Sequence, residues 1–132
     1  MNDWVQPLLL LVDLQRRFER GPKREGAFAL WLVVRVALDI GRGDGALDKQ
    51  DRKRVALLAQ RLAPLAVPRS LARGLTTALG HLDDLSSSGA RVALSQLVAP
   101  AHDALGAEAG EAVAQALALL PARGGVSRAP GR

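Results

Sequence analysis

The chain has 132 residues, with no cysteine and no tyrosine. A single domain of this length buries roughly two-thirds of its unfolded surface, so neither disulfides nor a structural metal is required, and thiol or tyrosine chemistry is excluded. Apolar residues make up 48%, aromatic residues 3%, and the formal net charge is +5; the core must be built from Leu, Ala and Val, a stacking platform for single-stranded nucleic acid is absent, and the surface is basic.

Trp4 to Arg20 reads as a first helix. Asp3 and Gln6 have capping-box spacing, and Pro7 lies in the first turn, where no intrahelical bond is lost. Trp4, Leu8, Leu11, Leu14 and Phe18 form its apolar stripe. Gly21-Pro22 is expected to stop it. Ala27 to Ile40 is apolar almost all round and is predicted to be a central, buried helix. Within it Arg35 and Asp39 stand four apart, the spacing of an ion pair.

Gly41-Arg42-Gly43-Asp44-Gly45 makes a permissive turn. Asp48 can cap a third helix that ends before Pro64, with Val55, Leu58, Leu62 and Leu65 as its apolar face and Lys49, Arg52, Lys53 and Arg54 opposite. A fourth helix starts at Pro68 and carries the stripe Leu71, Leu75, Leu79, Leu82 and Leu85. Gly74 and Gly80 weaken it unless a neighbouring helix approaches closely. One serine of Ser86-Ser87-Ser88 caps a fifth helix to Val98, and Pro100 is expected to interrupt the chain there. An alanine-rich sixth helix runs from Ala107 to Leu120. The fold class is therefore all-α: a compact bundle of five or six helices around a central apolar one. Residues 1–120 form one domain and 121–132, rich in Gly, Pro, Arg and Ser, a disordered tail.

Several motifs fail when their chemistry is required of them. Gly41, Gly43 and Ala46 match a loose dinucleotide fingerprint, but no strand and no acid stand where the second half of that unit needs them. Read as a calcium loop, the same turn puts Ile40 and Arg42 at ligand positions, which removes two oxygens. Arg42-Gly43-Asp44 spells an adhesion tripeptide in a cysteine-free chain and carries no weight. His81 and His102, with Asp83, Asp84 and Asp103, are read as solvated or capping groups rather than a metal site. No nucleophile elbow and no divided carboxylate pair are present, so the chain is expected not to be an enzyme and to need no cofactor or small-molecule substrate.

The run Gly43-Asp44-Gly45-Ala46-Leu47-Asp48-Lys49-Gln50-Asp51, between an apolar and an amphipathic helix, resembles the tellurite-resistance TerB-like helical family over residues 28–82. Asp44-Gly45 matches that family's D-G pair, Leu47 the apolar residue two further on, and Asp51 the acid opening the next helix. Gly43 stands where the family has its usual small residue. Lys49, Arg52, Lys53 and Arg54 dilute the acid-rich helix start. The resemblance implies an all-helical cytosolic stress-response domain with Asp44, Asp48 and Asp51 as metal contacts.

Charge gives the main functional expectation. Arg16, Arg17, Arg20, Lys23 and Arg24 form a basic cluster, Lys49, Arg52, Lys53 and Arg54 a second, while Asp83, Asp84, Asp103, Glu108 and Glu111 make the later helices acidic. We expect a non-enzymatic cytoplasmic interaction module whose basic face meets an acidic protein partner or, in a homo-oligomer, the acidic region of another copy. Salt-sensitive binding to nucleic acid is the third reading, held back by interspersed acids and the absence of a recognition helix. A membrane-surface role for the basic face near Trp4 and Phe18 ranks below it. Neither apolar run, Leu8–Val12 nor Ala27–Ile40, has the length of a signal peptide or a bilayer span.

Overall fold

The apolar segment at the centre of the sequence is also the centre of the structure. The computed structural model describes residues 5–18, 22–42, 49–66, 68–82 and 87–120. Among them are six helices and no strand: α1 (Val5–Phe18), α2 (Pro22–Arg42), α3 (Lys49–Leu62), α4 (Arg69–His81), α5 (Ser87–Leu105) and α6 (Ala107–Leu119), with a short 3-10 turn, Ala63–Leu65, after α3. The arrangement is an all-α bundle. α2 packs against all five other helices, and from Leu32 to Ile40 only Arg35 escapes full burial. A helix apolar on every side has no other stable position.

α2 begins at Pro22 rather than at Ala27. Proline is pre-set for a first helical position, and Glu25 in the first turn complements the positive end of the helix. The three charged residues Lys23, Arg24 and Glu25 extend the helix into solvent without joining its apolar pattern. α1 buries Pro7, Leu8, Leu11 and Leu14, as its stripe predicts, and α4 buries Leu71, Leu75, Ala78 and Leu79.

Pro100 does not interrupt the fifth helix. α5 continues through it to Leu105 and ends at Gly106, whose φ of 104° reverses the chain into α6. An interior proline removes one helical hydrogen bond. What offsets the loss is packing: a Cβ on Gly74 of α4 would stand only 3.2 Å from Pro100 Cγ. The missing side chain on α4 is the slot into which the proline ring fits. Gly74 thus has the close neighbour its sequence position called for. Gly80 does not, since nothing lies within 4 Å of its missing Cβ.

Close approach recurs between α5 and α6. A Cβ on Gly110 would fall 2.8 Å from His102 Cβ and 3.3 Å from His102 Cα. Ala109, Ala112 and Ala116 are buried with it, so α6 turns mostly small residues, with Val113 the one larger side chain among them, toward the bundle. Gly26 fills the same role on α2, against Leu71 Cδ2 at 3.0 Å and Ala66 Cβ at 3.6 Å.

α3 departs from expectation in orientation rather than in extent. Its inward face is Ala59, continued by Ala63 and Ala66, all buried. Leu58 and Leu65, expected inside, are 40% and 54% exposed, while Val55 and Leu62 only border the core. Two features explain the turn. Small residues let α3 lie close on α2, and Arg52 must point inward because Asp39 of α2 is buried. Arg52 Nε donates to Asp39 Oδ2 at 2.5 Å, with the carboxylate side chain wholly buried and the Arg52 side chain 20% exposed. Arg52 therefore belongs to the interior rather than to the face opposite the core. An unpaired carboxylate in this position would be prohibitively desolvated.

Candidate interaction surface

The two basic clusters of the sequence occupy different places. At the first, the end of α1 meets the start of α2: Lys23 Nζ lies 5.7 Å from the centre of the Phe18 ring, and Arg16, Arg17, Lys23 and Arg24 are all exposed. The second lies on α3. Arg52 meets Asp39 near the end of α2, whereas Ala66, after α3, meets Gly26 near its beginning. α3 therefore runs back along α2. At 1.5 Å per residue, Lys23 and Asp39 are separated by about 24 Å along the α2 axis. The expected basic face is two patches at opposite ends of the central helix. Arg20, Asp44 and Asp48 lie outside the described residues, as does the side chain of Lys49.

Internal pairing then decides which bases remain available. Arg17 donates to both carboxylate oxygens of Glu108 on α6, at 2.8 Å to Oε2, and stands 3.4 Å from Asp13 one turn away. The Arg17 hydrogen bond, with the guanidinium charge, holds the Glu108 carboxyl below its ordinary value of 4.5. The attraction between basic amino-terminal helix and acidic carboxy-terminal helix, expected between copies, is thus made in part within one chain. Arg52 is committed to Asp39, and Arg54 has only a 3.8 Å contact with Asp51 across one turn. Lys53 and Arg61 are exposed and have no ion-pair partner among the described residues.

Exposed bases remain at both clusters, Arg16, Lys23 and Arg24 at the first and a longer run on α3 and α4 at the second. Residues 49–82 contain seven bases (Lys49, Arg52, Lys53, Arg54, Arg61, Arg69, Arg73) and one acid, Asp51. Lys53, Arg54, Arg61, Arg69 and Arg73 are all exposed. Among them lie three exposed leucines, Leu57 at 53% with Leu58 and Leu65. A single exposed leucine is ordinary, and Leu9 of α1 is 54% exposed as well; what sets α3 apart is that Leu57 and Leu58 stand beside the exposed Lys53, Arg54 and Arg61 along one helix.

Two other places hold less. Val36, Arg52, Ala56, Leu79 and Leu82, with Lys53 and Gln60, line a cleft of about 120 Å³ between α2, α3 and α4. Ligand pockets commonly run to roughly 300–1,000 Å³, so this cleft is small for one. Among the described residues no group of three His, Asp or Glu side chains is placed to hold a metal ion. Of the three aspartates expected as metal contacts only Asp51 is described, and it faces Arg54. His102 lies 3.8 Å from the neighbouring Asp103, both exposed.

The sequence reading missed the inward turn of Arg52 and the exposure of Leu57, Leu58 and Leu65. Asp39 carried only part of the signal: the sequence offers it Arg35 one turn away in α2, and nothing in the spacing says that Arg52 of α3 also reaches it. No helix among the described residues is long and apolar enough to cross a membrane. No known family profile, curated protein or solved structure matches this chain.

Proposed function

We propose that the protein is a non-enzymatic interaction module whose α3–α4 surface binds an acidic protein partner. The observation that carries this reading is that exposed bases and exposed leucines occur together along α3 and the turn after it. Arg17 and Arg52 are consumed by Glu108 and Asp39, while Lys53, Arg54, Arg61, Arg69 and Arg73 remain exposed around Leu57, Leu58 and Leu65. Such a patch speeds encounter with an acidic surface and rejects a basic one. The Arg17–Glu108 contact also weakens the case for self-assembly by basic-to-acidic pairing, because both groups already have partners.

The test is light-scattering mass on a sizing column at low and high salt, with absorbance at 260 and 280 nm, followed by titration with polyglutamate. A monomer free of nucleic acid that binds polyglutamate, and loses it when Lys53, Arg54 and Arg61 are changed to Glu, supports the proposal. Co-purifying nucleic acid released by salt would transfer the patch to phosphate binding. A salt-sensitive oligomer would restore the homo-oligomeric reading.

A further inference from the structure

An apolar stripe follows the outer edge of α3 through Val55, Leu58 and Leu62 and continues onto Leu65 of the 3-10 turn after it. Val55, Leu58, Leu62 and Leu65 follow one another at three, four and three residues, the first-and-fourth pattern of a two-helix seam. Val55 and Leu62 border the core, and Leu58 and Leu65 are exposed. The stripe is thus an edge of the bundle where one further helix would complete the packing.

We propose that this stripe docks an amphipathic helix of a partner protein, one with leucine-like residues along its seam and acidic residues flanking it. The inference rests on the interaction-module reading and specifies its partner. Charge decides the occupant. Arg54 and Arg61 immediately precede Val55 and Leu62 and occupy the seam-flanking positions that set partner choice in paired helices. A second copy laid antiparallel on the stripe would set these arginines against their own equivalents, which like charge disfavours, and one laid parallel would set them opposite Ala59 and Ala66, which offer no opposite charge. A helix with Glu at the flanking positions meets them with opposite charge. An anionic lipid surface would also attract the bases, but it has no means of reading a three-four-three spacing.

The experiment uses the full chain and a synthetic three-heptad peptide with Leu at both seam positions, Glu at both flanking positions and Ala elsewhere. A second peptide replaces Glu by Lys, and vesicles of phosphatidylglycerol and phosphatidylcholine form a third arm. The glutamates keep the probe from pairing with itself. Fluorescence anisotropy should show binding of the Glu peptide and none of the Lys peptide. Leu58→Ala with Leu65→Ala should weaken binding by about tenfold or more, since anchors at the centre of a seam carry most of its affinity. Both leucines are exposed, so the variant keeps its core, and circular dichroism verifies this.

Glu-peptide binding that ignores the leucine changes but disappears with Lys53→Glu, Arg54→Glu and Arg61→Glu overturns the helix seam and leaves the charge reading standing. Absence of binding to both the Glu peptide and polyglutamate overturns the two together. Vesicle binding abolished by Leu58→Ala with Leu65→Ala, without peptide binding, assigns the stripe to lipid and overturns the proposal.

Discussion

Removing Arg52 should unsettle the fold far more than removing an exposed base such as Lys53 or Arg61. Its side chain is 20% exposed and its partner carboxylate on Asp39 wholly buried. Truncating one member of a buried pair leaves the other charge desolvated, at a cost of about 3–5 kcal/mol. Asp39 has further interactions, which places Arg52→Met near the lower end, about 3 kcal/mol. For a chain of this size each kcal/mol lowers the melting temperature by about 4 °C, so the expected shift is about 12 °C. The double variant Asp39→Val with Arg52→Met removes both charges and keeps the site filled. It should recover to within about 1 kcal/mol of the parent, because well-packed apolar replacements of buried ion pairs are often neutral. Urea and thermal unfolding followed by circular dichroism measure both. If Arg52→Met costs less than about 1 kcal/mol, the pair is behaving as a surface contact, and the account of why α3 turns its leucines outward fails.

The other predictions concern helix contacts and one exposed ion pair. Gly80→Ala should stabilise the protein by about 0.5–1 kcal/mol, since the methyl enters open space within a helix. Gly74→Ala should gain nothing and lose about 1–2 kcal/mol, because the rigid Pro100 ring cannot yield to a methyl at 3.2 Å; equal stabilisation of both variants by urea titration would contradict the Gly74–Pro100 contact. Gly110→Ala, meeting His102 at 2.8 Å and its backbone at 3.3 Å, should be destabilised by at least about 1 kcal/mol on the same assay. Glu108 is held below its ordinary 4.5 by Arg17, so its contribution is complete above that value and is lost as pH falls through the lower folded-state value. Melting curves of the parent and Glu108→Gln should therefore differ near neutrality and converge under acid; a constant gap would place the effect elsewhere.

Where neighbouring helices follow directly in sequence, their pattern was sufficient. The stripes of α1 and α4 specify which leucines are inside, and the apolar run of α2 specifies the centre. Three-dimensional contacts carried the remainder. Pro100 reads as a breaker because the sequence does not show that Gly74 will lie opposite it. Gly110 shows nothing until His102 is placed against it across the turn at Gly106. The two basic clusters read as one face because nothing in their spacing says that α2 will separate them. The turn at 43–48, on which the TerB-like resemblance depends, lies outside the described residues.

The orientation of α3 is a contest between two apolar faces of one helix. Covering Leu58 and Leu65 would contribute up to roughly 1.5–3 kcal/mol each, more than Ala59, Ala63 and Ala66 supply by area. The alanines prevail because the alternative also leaves Asp39 without Arg52, and because small side chains let α3 lie close along α2. The structure therefore keeps its leucines outside at a loss in burial. Polar residues at 58 and 65 would satisfy the fold equally well, since neither site is enclosed by the bundle. Leucines there, with Arg54 and Arg61 beside them, are what the proposed partner helix would cover, and the loss of its binding on Leu58→Ala with Leu65→Ala is the result that separates a docking seam from ordinary exposed leucines.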